Sequence, residues 1–104
     1  MNQFDVVANP FPRSRDRQPL FVALQSDLLA RTLDTVVVAP LELATSGKFA
    51  DRLNPSVSVN GEPYAVIAQE IVTVRKSTLG KSVGSVVSDG DKIIAALDLL
   101  FTGF

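Results

Sequence analysis

The sequence lacks two of the side chains most used to make or break bonds, though Asp, Glu, Arg, Lys and Tyr remain. Among its 104 residues there is no histidine and no cysteine. That removes the commonest general base, the Ser-His-Asp triad, the thiolate nucleophile, the disulfide and the commonest zinc ligands. Arg13, Ser14, Arg15, Asp16 and Arg17 form a charged loop after the breaker Asn9-Pro10-Phe11-Pro12, which reads either as a solvated connection or as a recognition loop. Gly80-Lys81-Ser82 has the form of the end of a phosphate-binding loop, but the upstream glycine is missing. Asp89 and Asp91 suit the positive end of a helix better than a metal pair. Glu62 sits beside a turn and reads as solvent-facing, while Glu42 and Glu70 have no motif context. The inventory predicts no catalytic residue, no metal, no cofactor and no enzyme.

The last five residues, Leu100-Phe101-Thr102-Gly103-Phe104, have a different character. A terminus is ordinarily polar and frayed, and this one ends on an aromatic ring. Phe104 either packs into its own core or is buried by a dimer or displayed to a partner.

The elements that position these residues are mostly strands. Gln3 to Ala8 and Leu20 to Leu24 read as strands, and Leu28 to Leu33 as one turn of helix or an extended link. Asp34 to Leu41 carries Thr35-Val36-Val37-Val38 without strict alternation, which predicts burial on both sides. Ala44 to Asn54 reads as a surface excursion or a small hairpin. In Pro55 to Ile67, Val57 and Val59 alternate with Ser56 and Ser58, and Asn60-Gly61 is the preferred pair for a type I′ hairpin turn. Ile71 to Val74 is β-prone. A short edge strand is expected around Thr78 to Val83, with Gly80 and Gly84 allowing a bend or bulge.

The chain closes with a helix over Lys92 to Phe101, with Ser88 as its expected N-cap and Asp91 as the capping-box acid. Ile93, Ala96, Leu97, Leu100 and Phe104 share one face, flanked by Ile94, Phe101 and Leu99. A helix lying on a single sheet needs an apolar arc of about 100° or somewhat more, and this arc is wider. The excess predicts either a second subunit against the helix or a loop of the same chain wedged over it. Several short strands before one helix predict a single domain over residues 1–104, mostly β with a C-terminal α-helix.

Composition narrows the partners. The formal net charge is −1, which gives no global attraction to phosphate or anionic lipid. No apolar run approaches the roughly 20 residues of a membrane helix, and the first residues lack the basic start and apolar run of a leader. Together with the missing cysteines, this predicts a cytoplasmic protein without membrane contact.

The order of motifs resembles the CcdB toxin family. Phe21-Val22-Ala23-Leu24-Gln25-Ser26-Asp27-Leu28-Leu29 is similar to its second-strand region, FVDVQSD followed by apolar residues. Val37-Val38-Ala39-Pro40-Leu41 resembles its VIPL strand, and Leu53-Asn54-Pro55 with Val57-Ser58-Val59 the approach to its central hairpin. Asp91 to Leu100 looks like its terminal helix, and Gly103-Phe104 stands where the family ends in Gly-Ile. The resemblance spans nearly the whole chain.

It implies an SH3-like barrel, or bent antiparallel sheet, of the CcdB/MazF type with a long C-terminal helix. It implies a homodimer, joined here through Leu97, Leu100, Phe101 and Phe104. The implied function is that of a toxin of a type II toxin–antitoxin pair, which binds the DNA gyrase A subunit and traps cleaved DNA. A CcdA-like antitoxin would neutralise it, with Arg13, Arg15 and Arg17 as the expected contacts, and operator DNA would be met only through that complex. Thr102, Gly103 and Phe104 are the implied gyrase-binding residues. Well-studied members carry Trp where this chain has Thr102, and the ring stacks on a gyrase arginine. Such contacts contribute about 0.5–2 kcal/mol, so their loss predicts weakened rather than abolished binding. Two alternatives remain: a MazF-type endoribonuclease, for which no convincing base is present, and a homologue that only binds its antitoxin.

Overall fold

The structure is a computed structural model and describes residues 1–103. Seven strands form one antiparallel sheet in the order β4-β5-β3-β2-β1-β7, with β6 also paired to β3. They are β1 (Asp5–Ala8), β2 (Leu20–Ala23), β3 (Thr35–Leu43), β4 (Ser56–Val59), β5 (Glu62–Val66), β6 (Val72–Arg75) and β7 (Gly84–Ser85), followed by helix α1 (Gly90–Thr102). The sheet bends until its two edges nearly meet. Asn60, in the β4–β5 turn, donates from Nδ2 to the Val83 carbonyl at 3.1 Å, and Val59 packs at Gly84 beside it. The result is the mostly β, barrel-like fold with one C-terminal helix that the sequence leads one to expect. No helix among the described residues is long and apolar enough to cross a membrane.

β3 organises the sheet because both of its faces are buried. Side chains alternate across a strand, so Val36 and Val38 enter one apolar cluster with Val7, Phe21 and Val74. Ala39 and Leu41 enter the other, with Val6, Val22, Val66 and Ile93 of the helix. β3 pairs with β6 along Thr35 to Val38 and with β5 along Leu41 to Leu43. Pro40 falls between these two stretches. Its carbonyl accepts from Ile67 on that side, and its missing N–H lies where β6 and β5 part company, so no ladder bond is lost.

The β4–β5 hairpin follows the sequence reading. Asn60 and Gly61 have φ of 51° and 84°, as a type I′ turn requires. Other elements differ. Ala44 to Asn54 contains turns but no strand, so the small hairpin is absent. The edge strand expected around Thr78 to Val83 is displaced to Gly84–Ser85, because the partner available on β1 is Val6 opposite Gly84. Residues 76–78 form a short 3₁₀ turn instead.

The helix also starts differently from the expectation. Ser88 lies inside a 3₁₀ turn over Val87–Asp89, and Asp89 occupies the N-cap position without a side-chain cap bond. The Ser85 hydroxyl accepts the Val87 N–H at 3.3 Å, so the chain is already turning before Ser88. Asp89 instead pairs with Lys92 at 3.3 Å, and Lys92 also donates to the Ser56 carbonyl at 3.0 Å. The helix ends at Gly103, whose φ of 82° lets its N–H close onto the Leu99 carbonyl at 3.0 Å. This is the left-handed cap that glycine adopts without a steric penalty.

Candidate binding surface at the helix end

Helix α1 is held against the sheet mainly by Gly90, Ile93, Ala96 and Leu97. Ile93 and Ala96 are fully buried, and Gly90 faces the ring of Phe4. Leu97 is half-buried and packs on the main cluster. Further on, Leu100 is 36% and Phe101 69% exposed. Of the expected dimer residues, Leu97, Leu100 and Phe101 therefore share one helix end, and Leu97 also serves the core. Thr102 and Gly103 of the expected gyrase-binding tail are exposed beside them, with the Thr102 hydroxyl donating to the Asp98 carbonyl at 2.6 Å. Phe104 lies outside the described residues.

The helix end does not stand alone. Leu97 and Phe101 form one wall of an apolar groove of about 420 Å³, opposite Gln25, Ser26, Leu29 and Ile71. Leu28 and Leu29, in the connection from β2 to β3, are 89% and 44% exposed. That connection is tied in place by polar bonds. The Gln3 amide nitrogen of the side chain donates to the Leu24 carbonyl at 3.0 Å, and its backbone N–H to Asp27 at 2.7 Å. Gln25 donates to the Thr35 carbonyl at 3.1 Å, and the Ser26 hydroxyl accepts the Leu28 N–H at 3.2 Å. The polar residues of Gln25-Ser26-Asp27 thus serve the backbone and leave two leucines presented to solvent. The sequence reading missed these as part of the surface. The available signal was an apolar pair directly after a polar punctuation, in a segment too short to bury it.

The charged loop after β1 is ordered from within. Asn9 is buried; its Nδ2 donates to Ser14 and to the Gln18 carbonyl, each at 2.8 Å, and its Oδ1 accepts the Phe11 N–H at 2.8 Å. The three arginines of the loop differ in their engagements. Arg17 pairs with Glu42 at 3.5 Å and with Glu70 at 3.3 Å. Buried Gln18 donates to the same two carboxylates at 2.9 and 3.1 Å. Arg15 donates to the Pro10 carbonyl at 3.2 Å, and Arg13 is exposed. Glu42 and Glu70, without context in the sequence, are the counter-charges of Arg17. Gly80-Lys81-Ser82 lies in an exposed stretch without a following helix start, which excludes a phosphate loop of the P-loop kind. No group of acidic residues able to hold a metal occurs among the described residues.

A nearly closed small barrel of antiparallel strands with one terminal helix defines a fold of the CcdB/MazF type. Solved structures share it. An endoribonuclease in complex with its cognate antitoxin, from a mycobacterial species, is 19% identical with a TM-score of 0.71, covering 94% of this chain and 91% of that one. The Mycobacterium tuberculosis toxin MazF-mt6 is 17% identical with a TM-score of 0.68, covering 93% of each. A toxin from Mtb is 19% identical with a TM-score of 0.65, covering 81% of this chain and 92% of that one. No curated protein matches the sequence. The sequence profile of the CcdB protein matches residues 3–103, and the chain belongs to the CcdB family.

Proposed function

We propose that this chain is the toxin of a type II toxin–antitoxin pair that acts by binding the DNA gyrase A subunit and trapping cleaved DNA. In this reading it works in the cytoplasm as a homodimer and catalyses no reaction. The observation that carries the reading is the exposure of Leu28, Leu29, Leu100 and Phe101, of which Leu29 and Phe101 line one apolar groove with half-buried Leu97. Monomers rarely expose such patches without a use for them. A two-fold dimer brings two copies of the tail, Thr102, Gly103 and Phe104, against a two-fold target and doubles each contact. A CcdA-like antitoxin covers the toxin, with Arg13 and Arg15 as its contacts on the ordered loop, and operator DNA is bound only by the pair. Arg17 belongs less to that contact set, because it already meets two carboxylates.

The endoribonuclease reading has support from the named activity of one structural relative. Cleaving RNA requires a cation at the scissile phosphate and a base beside it. Here Arg17 is flanked by Glu42 and Glu70, which neutralises it and repels a phosphodiester.

The test is a gyrase cleavage assay with the intact protein and with a variant lacking Thr102 to Phe104. Stabilised gyrase–DNA cleavage complexes are expected for the intact protein and their loss for the truncated one. Equal trapping by both overturns the assignment of the tail. Metal-independent cleavage of single-stranded RNA, with no effect on gyrase, overturns the whole reading in favour of the endoribonuclease. Absence of both activities, with antitoxin binding intact, leaves a purely regulatory homologue.

A further inference from the structure

The chain has four asparagines, and the residue after each decides whether its side chain can react with its own backbone. The attacking group is the nitrogen of the next residue, which needs a free N–H and room to approach. Asn9 and Asn54 precede Pro10 and Pro55, and proline has no N–H. Both are also buried, with their side chains bonded inside the fold. Asn2 precedes Gln3, whose N–H is bound to Asp27 at 2.7 Å. Asn60 precedes Gly61, and both are exposed. Apart from the adjoining residues, no atom lies within 4 Å of where a Cβ on Gly61 would stand, and the Gly61 N–H has no backbone acceptor among the described residues.

The Asn60 amide also fastens the fold. Its Nδ2 donates to the Val83 carbonyl at 3.1 Å, across the gap where the sheet nearly closes. The strand beyond that gap is weakly held: β7 has two residues and pairs with β1 only at Asp5 and Val6. We propose that Asn60 is a site of spontaneous deamidation and that losing its amide unlatches the barrel seam. The Gly61 nitrogen gives up its proton to solvent and bonds to Cγ of Asn60. The Cγ–Nδ2 bond breaks, and the side-chain nitrogen takes up a proton and leaves as ammonia. Water then opens the resulting five-membered imide at either carbonyl, leaving aspartate or isoaspartate, and no other co-reactant is needed. A carboxylate has no N–H to donate, so the Val83 carbonyl loses its partner and faces a negative charge. Isoaspartate further adds a methylene to the backbone of a two-residue turn whose register joins Val59 to Glu62. The shut latch slows the reaction, because the bond to Val83 directs the amide across the seam rather than at Gly61. This inference does not depend on gyrase binding.

Ageing of the full chain in mildly alkaline buffer, followed by peptide mass spectrometry, tests the reaction, and amide hydrogen exchange tests the latch. The peptide holding Asn60 is expected to gain the mass of deamidation ahead of those holding Asn2, Asn9 and Asn54, and to gain it faster in urea than in the folded state. Asn60→Asp supplies the first product directly. Asp-Gly suits the same turn type, so this variant is expected to fold. The Val83 and Val86 amides, bonded to the Val6 and Phe4 carbonyls, are expected to exchange about fivefold faster in it, the worth of one hydrogen bond, with Val22 and Val38 in the middle of the sheet unchanged. Asn60→Gly, equally suited to the turn, is expected to show the same faster exchange and no mass gain in that peptide. A first mass gain at another asparagine, no gain at Asn60 in the folded chain over a period that converts the unfolded one, or unchanged exchange at Val83 and Val86 in either variant overturns the proposal.

Discussion

The two halves of helix α1 differ in both their side chains and their situations. From Gly90 to Ala96, small and branched apolar residues are driven into the sheet: Gly90, Ile93 and Ala96 are buried, and Lys92 ties the first turn to the edge of β4. From Leu97 to Thr102, larger apolar residues progressively leave it, and Phe101 keeps 69% of its surface in water. A helix that served only its own core would taper the other way, with its largest side chains inside. One element therefore carries two functions in sequence, an anchor and a projecting end, and its apolar residues belong to two energy balances. The first half counts toward folding of the chain. The second, Leu97 apart, adds little to that core and is the surface the proposed function uses.

Substitutions separate these balances. The largest effect on folding is expected from Ile93→Ala. Its side chain is fully buried in the main cluster, and removing it leaves a cavity worth about 2–5 kcal/mol. Urea unfolding of the variant measures this, and the loss is expected at every protein concentration. A loss below about 1 kcal/mol breaks the claim that the first half is the anchor.

Gly90→Ala comes next. A methyl group there meets the Phe4 ring at 2.6 Å. Phe4 cannot easily retreat, because it is buried with a φ of 67°. Its backbone is held by bonds to Ala23 at 2.7 Å and from Val86 at 2.9 Å. Overpacking of this kind costs about 1–3 kcal/mol, again read from the urea midpoint. Phe4→Leu combined with Gly90→Ala is expected to recover part of the loss, since the clash is with the ring.

Phe101→Ser is expected to act in the other balance. In the proposed dimer, loss of an aromatic anchor at the interface costs about 2 kcal/mol, or roughly thirtyfold in the dissociation constant, measured by analytical ultracentrifugation. Stability of the variant should match the parent at dilutions where both are monomeric, and fall behind only where the parent dimerises, because association stabilises by mass action. An equal loss at all concentrations would show that Phe101 is part of the core and erase the distinction between the halves.

The fold was legible where local chemistry decides it. Asn60-Gly61 favours positive φ at two successive positions, as a type I′ hairpin turn requires, and the β-branched run of β3 has no stable place except between two apolar layers. Legibility failed where the decision is made far along the chain. The last strand sits at Gly84 rather than near Thr78 because Val6 is there to receive it. The helix start moved off Ser88 because Ser85 and Phe4 already turn the chain; Val86 is fixed by the Phe4 carbonyl. The site was half legible. Its helix wall follows from periodicity, while its other wall, Gln25 to Leu29, is brought opposite Leu97 and Phe101 only by the sheet. The pairing of Arg17 and Gln18 with Glu42 and Glu70 spans up to 53 positions and has no local trace.

The smallest expected effects make the sharpest control, because they compare polar bonds at the two ends of the same helix. Lys92→Ala removes the contacts to Asp89 and the Ser56 carbonyl. Its side chain is 56% exposed, so solvent screens the charge and the loss should stay within about 1 kcal/mol. It should nevertheless be measurable, since the bond to Ser56 joins the helix to a different element. Thr102→Val removes only a bond from the hydroxyl to the Asp98 carbonyl one turn earlier. That bond lies wholly within the last turn, and folding stability should change by less than about 0.5 kcal/mol. Urea midpoints of the two variants, taken under monomeric conditions, decide the matter. A larger loss for Thr102→Val than for Lys92→Ala would mean that the projecting end is tied to the fold more firmly than the anchored one, and the division of the helix would have to be reversed.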